Sequence, residues 1–185
     1  MQTFFLAPTR QNVGLTSISL GIVLALQRQG LRVGFVKPVP QDTAHIERSA
    51  HFARVLCQID SPNPLDIELV MRRIANNQTD ELLEDVVSLC MTAAQDKDVL
   101  VIEGLHNEPG QSFANRLNSN IARTLQAEMV LVANASKAGA AAEANLIINQ
   151  LRREGRIVAG IVFNKALDNF DRAAAEKEMA GMPIW

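Results

Sequence analysis

Twelve residues near the start of the chain carry the strongest chemical signal: Leu6-Ala-Pro-Thr-Arg-Gln-Asn-Val-Gly14-Leu15-Thr16-Ser17. A short apolar strand, Gln2–Leu6, enters a polar turn, and a long apolar helix leaves that turn from Gly14. Turn amides and a helix N-terminus then converge on one spot, the arrangement that cradles a phosphate. Thr9, Arg10, Asn12, Val13, Gly14, Leu15, Thr16 and Ser17 are therefore the candidate phosphate- or nucleotide-binding residues. The pattern is degenerate. A phosphate loop of this kind carries Gly-Lys-Thr or Gly-Lys-Ser at the helix start, and Leu15 stands where the lysine belongs. The first glycine is also missing, with Pro8 or Thr9 in its place, which limits how closely the backbone can wrap an anion.

The cost of the missing lysine can be sized. A lysine–phosphate hydrogen bond contributes about 1.5–3 kcal/mol. The same ammonium stabilises charge on a transferring phosphoryl group, so catalysis loses more than binding. Arg10 is the nearest substitute cation. The expectation is weak binding of an anion at the helix N-terminus, with no residue assigned a catalytic role.

The elements that position this turn follow from periodicity. Gln2–Ala7 is a first strand, with Phe4-Phe5-Leu6 continuous as in a strand covered on both faces. Gly14–Gln29 is a helix closed by Gly30, apolar on nearly all sides, with Ile18, Ile22, Ala25 and Leu26 at helical spacing. Leu31–Lys37 is a second strand ended by Pro38 and Pro40. Helices follow at Asp42–Ile59 and Asp66–Asn76, and a third over Asp80–Gln95 is capped by Thr79. These three are a helical insertion before the next strand. That strand, Asp98–Glu103, is the clearest in the chain, and a loop runs from it to Gly110. A helix from the cap Ser112 to Ala127, a strand at Met129–Ala133, a helix at Ala140–Arg153, a strand at Ile157–Phe163 and a weak helix at Asp168–Met179 complete the order. Strand–helix alternation of this kind implies a doubly wound, mostly parallel α/β sheet.

In such sheets ligands bind beyond the carboxyl ends of the strands. That rule adds Lys37, Glu103-Gly104, Asn134 to Ser136, and Asn164-Lys165 to the turn. Glu103 is the most informative, because a carboxylate at the tip of an apolar strand needs a cation or a helix N-terminus to face. The metal itself stays unassigned. His45, His51 and His106 have no ligand-like partners in sequence, so packing or surface roles are expected of them.

Composition bounds the rest. With 185 residues, 48% apolar and 21% charged, the chain has the balance of a globular domain, and residues 1–185 read as a single P-loop-like domain. A net charge of −2 and no basic run give nothing for nucleic acid to bind. No apolar stretch is long enough to span a membrane, and no secretion leader is evident, so a cytoplasmic protein with Cys57 and Cys90 as reduced thiols is expected. Met182-Pro-Ile-Trp185 looks like the start of another strand, which suggests an N-terminal piece of something longer.

Taken together, these segments resemble the dethiobiotin-synthetase-like P-loop domains, and specifically the N-terminal domain of long-form phosphate acetyltransferases. The resemblance rests on Pro8-Thr9, Val13-Gly-Leu-Thr-Ser-Ile-Ser-Leu-Gly21, Gly34-Phe-Val-Lys-Pro38 and Val101-Ile-Glu-Gly-Leu105. It extends through Phe113 to Val130 and to Gly160-Ile-Val-Phe-Asn-Lys165. Leucine at the lysine position is itself a feature of that acetyltransferase domain. The resemblance implies that Lys37 matches a catalytic-region lysine of dethiobiotin synthetases, Glu103 a nucleotide–metal residue, Asn164 an adenine contact and Thr16 the metal-side hydroxyl. It further implies a non-catalytic domain that supports oligomer assembly and metabolite-dependent regulation, with an acetyl-transfer domain elsewhere in the same chain as its partner. ATP, ADP or NADH at reduced affinity are the ligands this frame allows, and Mg²⁺ is not required by it. The rival readings are an ATP-dependent carboxylate-activating ligase of the dethiobiotin-synthetase kind and a ligand-free structural domain.

Overall fold

The computed structural model describes residues 1–41, 48–107, 113–168, 170–179 and 181–185. Five strands form one sheet: β1 (Gln2–Pro8), β2 (Val33–Val36), β3 (Val99–Glu103), β4 (Glu128–Asn134) and β5 (Val158–Asn164). Their spatial order is β2-β3-β1-β4-β5, and every pairing is parallel. Parallel strands need crossovers, and the helices supply them: α1 (Leu15–Arg28), α2 (Ser49–Cys57), α3 (Ile67–Ala75), α4 (Thr79–Ala94), α5 (Ala114–Thr124), α6 (Ala140–Arg153) and α7 (Arg172–Glu178). The expected doubly wound sheet is present, and α2, α3 and α4 form the expected insertion between β2 and β3.

Side-chain alternation along β1 explains the two-sided core. Phe5 belongs with Ile102, Leu131 and Ile161 against α4, α5 and α6, through Val86, Leu117 and Ile148. Leu6 belongs with Phe35, Val101 and Val132 on the opposite face, against Leu20 and Val23 of α1 and Ala53 and Cys57 of α2. Each buried side chain of this size contributes about 1.5–3 kcal/mol.

Local chemistry moves several expected details. The buried face of α1 is Ser19, Leu20 and Val23, whereas Ala25 is exposed. A serine tolerates full burial there because its hydroxyl donates to the Leu15 carbonyl at 2.9 Å. Thr79 is the first residue of α4 rather than its cap. Asn77 takes φ 55, which makes Gln78 the half-helical residue. The last helix begins at Arg172, not Asp168, because the Asp171 carboxylate accepts the Ala174 amide at 2.9 Å and sets the start. Residues 42–47, including the expected start of a helix at Asp42 and His45, lie outside the described residues, as do the loop end at Gly110 and the cap expected at Ser112. Cys57 and Cys90 are both buried free thiols. Met182–Trp185 runs parallel to the outer edge of β5. The Ile161 amide donates to the Pro183 carbonyl at 3.0 Å, and the Trp185 amide donates to Ile161 at 2.9 Å.

Candidate functional site

The C-terminal ends of β1, β2 and β3 and the N-terminus of α1 surround an open pocket of about 640 Å³. Its floor is one buried carboxylate. Glu103, 1% exposed, accepts three hydrogen bonds on Oε1: from Lys37 Nζ at 2.9 Å, Ser49 Oγ at 2.9 Å and Thr16 Oγ1 at 3.0 Å. The Thr16 and Ser49 hydroxyls are themselves 3.2 Å apart. Among the described residues nothing hydrogen-bonds the other oxygen, Glu103 Oε2, although it is buried.

The turn is held from outside. The Val13 carbonyl accepts Asn164 Nδ2 at 2.8 Å, and the Asn12 carbonyl accepts Lys165 Nζ at 2.7 Å. Gly14 sits at φ 83, in the left-handed region, and a Cβ there would fall 2.4 Å from Asn164 Nδ2. Both conditions demand glycine. As the N-cap, Gly14 brings no side chain to satisfy the first amides of α1, which leaves that turn as an anion-facing end. Leu15 packs against the core beneath α1 and offers no charge to the pocket it lines.

Arg10 does not fill the vacancy at Leu15. Its Nε donates to Glu143 Oε2 at 2.8 Å, and a second guanidinium nitrogen bonds the same oxygen, so α6 holds it at the pocket rim. Asn134 turns on itself, accepting from the Ser136 amide at 3.0 Å and hydroxyl at 2.7 Å, and takes no part in the pocket. His51 is exposed on α2, and His106 lies on the loop after β3.

That loop is held in place by Gly104 and by two side-chain amides. Gly104 crosses β1 so closely that a Cβ would lie 2.7 Å from the Phe5 ring and 2.9 Å from the Leu6 carbonyl. Asn118 of α5 then pairs with Leu105 on both sides, Oδ1 accepting the amide at 3.0 Å and Nδ2 donating to the carbonyl at 2.7 Å. Gln41 does the same for His106, at 3.1 and 2.9 Å. Two side-chain amides thus stand in for a neighbouring strand. Ser49, Gln41 and Asn118 left no local signal, since an isolated Ser, Gln or Asn is the commonest of surface residues.

A family model described as an AAA domain matches residues 2–184. The chain belongs to that AAA-domain family. Among curated relatives, this AAA-domain chain is 40% identical to the phosphate acetyltransferase of Pseudomonas aeruginosa over 97% of its own length and 27% of that protein. It is 36% identical to the one from Deinococcus radiodurans, over 97% and 26%, and 35% identical to that of Escherichia coli, over 69% and 18%. The chain spans about a quarter of the length of the first two relatives, and the expected resemblance to the P-loop-like domain of long-form phosphate acetyltransferases holds. Solved structures of similar fold include the signal recognition particle receptor FtsY from Elizabethkingia anophelis, with TM-score 0.62, 17% identity and 99% of this chain against 57% of that one. The septum site-determining protein MinD of Pyrococcus horikoshii, complexed with Mg-ADP, superposes with TM-score 0.59 at 16% identity, over 99% of this chain and 79% of that one. Likeness at that level establishes the P-loop α/β fold alone. Among the described residues no helix is long and apolar enough to cross a membrane.

P-loop folds commonly hold Mg²⁺ between the loop hydroxyl and an acidic residue at a neighbouring strand end. The residues present fit such an ion: Thr16 supplies the hydroxyl, and Glu103 Oε2 is a buried oxygen with no described donor.

Proposed function

We propose that this chain is the non-catalytic P-loop-like domain of a phosphate acetyltransferase, and that its degenerate pocket binds an anionic metabolite or nucleotide weakly. The parent reaction would interconvert acetyl-CoA plus phosphate with acetyl phosphate plus CoA, carried out by a partner domain of the same polypeptide. The domain's own contribution would be assembly of the homo-oligomer and its regulation, in the cytoplasm. One observation carries the non-catalytic reading: Leu15 supplies no ammonium, and the charge of Lys37 is already met by Glu103 at 2.9 Å. Phosphoryl transfer needs a cation placed for the transition state, and here the lysine is committed to a buried carboxylate and Arg10 to Glu143, with Arg48 the further cation of the described lining.

Thr9, Arg10, Asn12, Val13, Gly14, Leu15, Thr16 and Ser17 are the residues proposed to frame the anion, with Lys37, Glu103, Gly104, Asn164 and Lys165 around them. The first-turn amides of α1 would carry most of the contact. Asn164 and Lys165 would act by keeping the Asn12 and Val13 carbonyls turned away from it. Mg²⁺, when bound at Thr16 and Glu103, would supply charge to a phosphate in the pocket.

The test is calorimetry of the purified chain with ATP, ADP, NADH and pyruvate, beside an assay for acetyl phosphate formation. Weak binding of at least one ligand without acetyl transfer is the expected result, and Leu15→Lys is expected to tighten any phosphate-bearing ligand about tenfold or more. Turnover of acetyl phosphate and CoA by this chain overturns the reading. ATP-dependent carboxylation of a diamino acid would establish the ligase instead. No heat with any ligand would leave the scaffold role.

A further inference from the structure

A second cavity, of about 620 Å³, opens between α5 and α6 on the sheet face opposite α1. Its floor is apolar, built from Met129 and Leu131 of β4. The wall that α5 presents is not. Asn115, Arg116, Ser119, Asn120 and Arg123 recur at the spacing of a single helix face, and all of them line the cavity. Asn115, Arg116 and Arg123 are exposed while Asn120 is half-buried and Ser119 buried, so the stripe gives the cavity a polar wall open to solvent. Arg156, on the lead into β5, completes the wall.

The charges do not cancel. Among the described residues Arg116, Arg123 and Arg156 take part in no ion pair. Among the described residues Glu154 is the only acid lining the cavity, and both its oxygens are engaged. Gln150 Nε2 donates to Oε1 at 3.0 Å and Ser119 Oγ donates to Oε2 at 2.8 Å, and these bonds hold its carboxyl below the usual range. Arg156 spends one guanidinium nitrogen on the Glu154 carbonyl at 2.6 Å, while its Nε is buried with no described acceptor. A buried donor without a partner costs about 1–3 kcal/mol, a penalty that a ligand oxygen would remove.

We propose that the α5–α6 cavity is a second ligand site, for a small molecule that joins an apolar body to a carboxylate or phosphate. The body lies against the half-buried Ile147 of α6, over the closed floor of Met129 and Leu131, and the oxyanion meets the guanidinium groups of Arg123 and Arg156, whose forked donors suit such oxygens. The proposed site is distinct from the pocket at Gly14, which lies at the carboxyl ends of β1, β2 and β3; Pro8 borders both, but neither arginine borders that pocket.

The test is an NMR titration of the ¹⁵N-labelled chain with phenyl phosphate, phenylacetate and the neutral 2-phenylethanol. At least one of the two anions is expected to shift amides of α5 and α6 and the Arg156 Nε–H, about tenfold more tightly than the alcohol. The tighter anion identifies the ligand class. Arg123→Gln is expected to weaken that binding about tenfold, and Arg123 is exposed, so the fold is not at risk. Arg152→Gln removes the same charge from α6 outside the cavity and is expected to leave binding unchanged. The proposal fails if neither anion shifts these amides at about 20 mM. It also fails if the alcohol binds equally, if R123Q and R152Q behave alike, or if shifts are confined to residues 9–17.

Discussion

Lys37 Nζ and Glu103 Oε1 lie 2.9 Å apart at the foot of the pocket, with side chains 7% and 1% exposed. One residue follows β2 and the other ends β3, so adjacent parallel strands deliver the two charges to the same depth. Two buried charges tolerate each other's company far better than either tolerates solitude.

Removing one partner should therefore cost more than removing both. Lys37→Met and Glu103→Leu are each expected to lower unfolding free energy by about 3 kcal/mol. The double variant is expected to lose less than either single one. Urea denaturation of all four proteins checks this, and additive losses would show that the pair is not coupled.

Asn118 is expected to matter for the pocket without touching it. Asn118→Ala leaves the Leu105 amide and carbonyl unpaired in a buried setting. The expected cost is about 2–3 kcal/mol. Hydrogen exchange should quicken at Leu105 and His106 before it quickens in β1, which would place the loss in the loop rather than in the sheet.

Gly160 faces the single tryptophan. A Cβ there would lie 2.4 Å from the Trp185 ring and 2.8 Å from the Pro183 carbonyl. Gly160→Ala is expected to displace the Met182–Trp185 segment from the edge of β5. Because the chain has one tryptophan, its emission reports the change directly, with a red shift while the far-ultraviolet spectrum stays unchanged.

Acid sensitivity should have a contribution from Asp98. The Arg32 guanidinium, and then the Arg32 amide, hold its carboxyl down at about 2, through bonds of 2.6 to 3.0 Å. The unfolded value is about 3.9, so the folded state binds the proton more weakly. The contribution is present in full above about pH 4 and is lost as pH falls toward 2. Arg32→Gln is expected to flatten the melting temperature against pH in that window, and added salt should shrink the difference for so exposed a pair.

Sequence alone determined the layers and the frame. Periodicity located every strand and placed α6 at its observed limits, because strands covered on both faces are written as unbroken apolar runs such as Phe4–Leu6 and Val99–Ile102. It also brought forward Gly14, Lys37, Glu103 and Asn164, since residues at strand ends and helix starts can be read from local order. Tertiary structure decided who meets whom. It gave Arg10 to Glu143, set Ser49 beside Glu103, and turned Asn118 and Gln41 into braces for the loop after β3. Those contacts join residues from 13 to 133 positions apart, through side chains whose types are ordinary on any surface. A hydrophobic period encodes which face of an element is buried. It carries no record of which polar atom across the sheet will answer it.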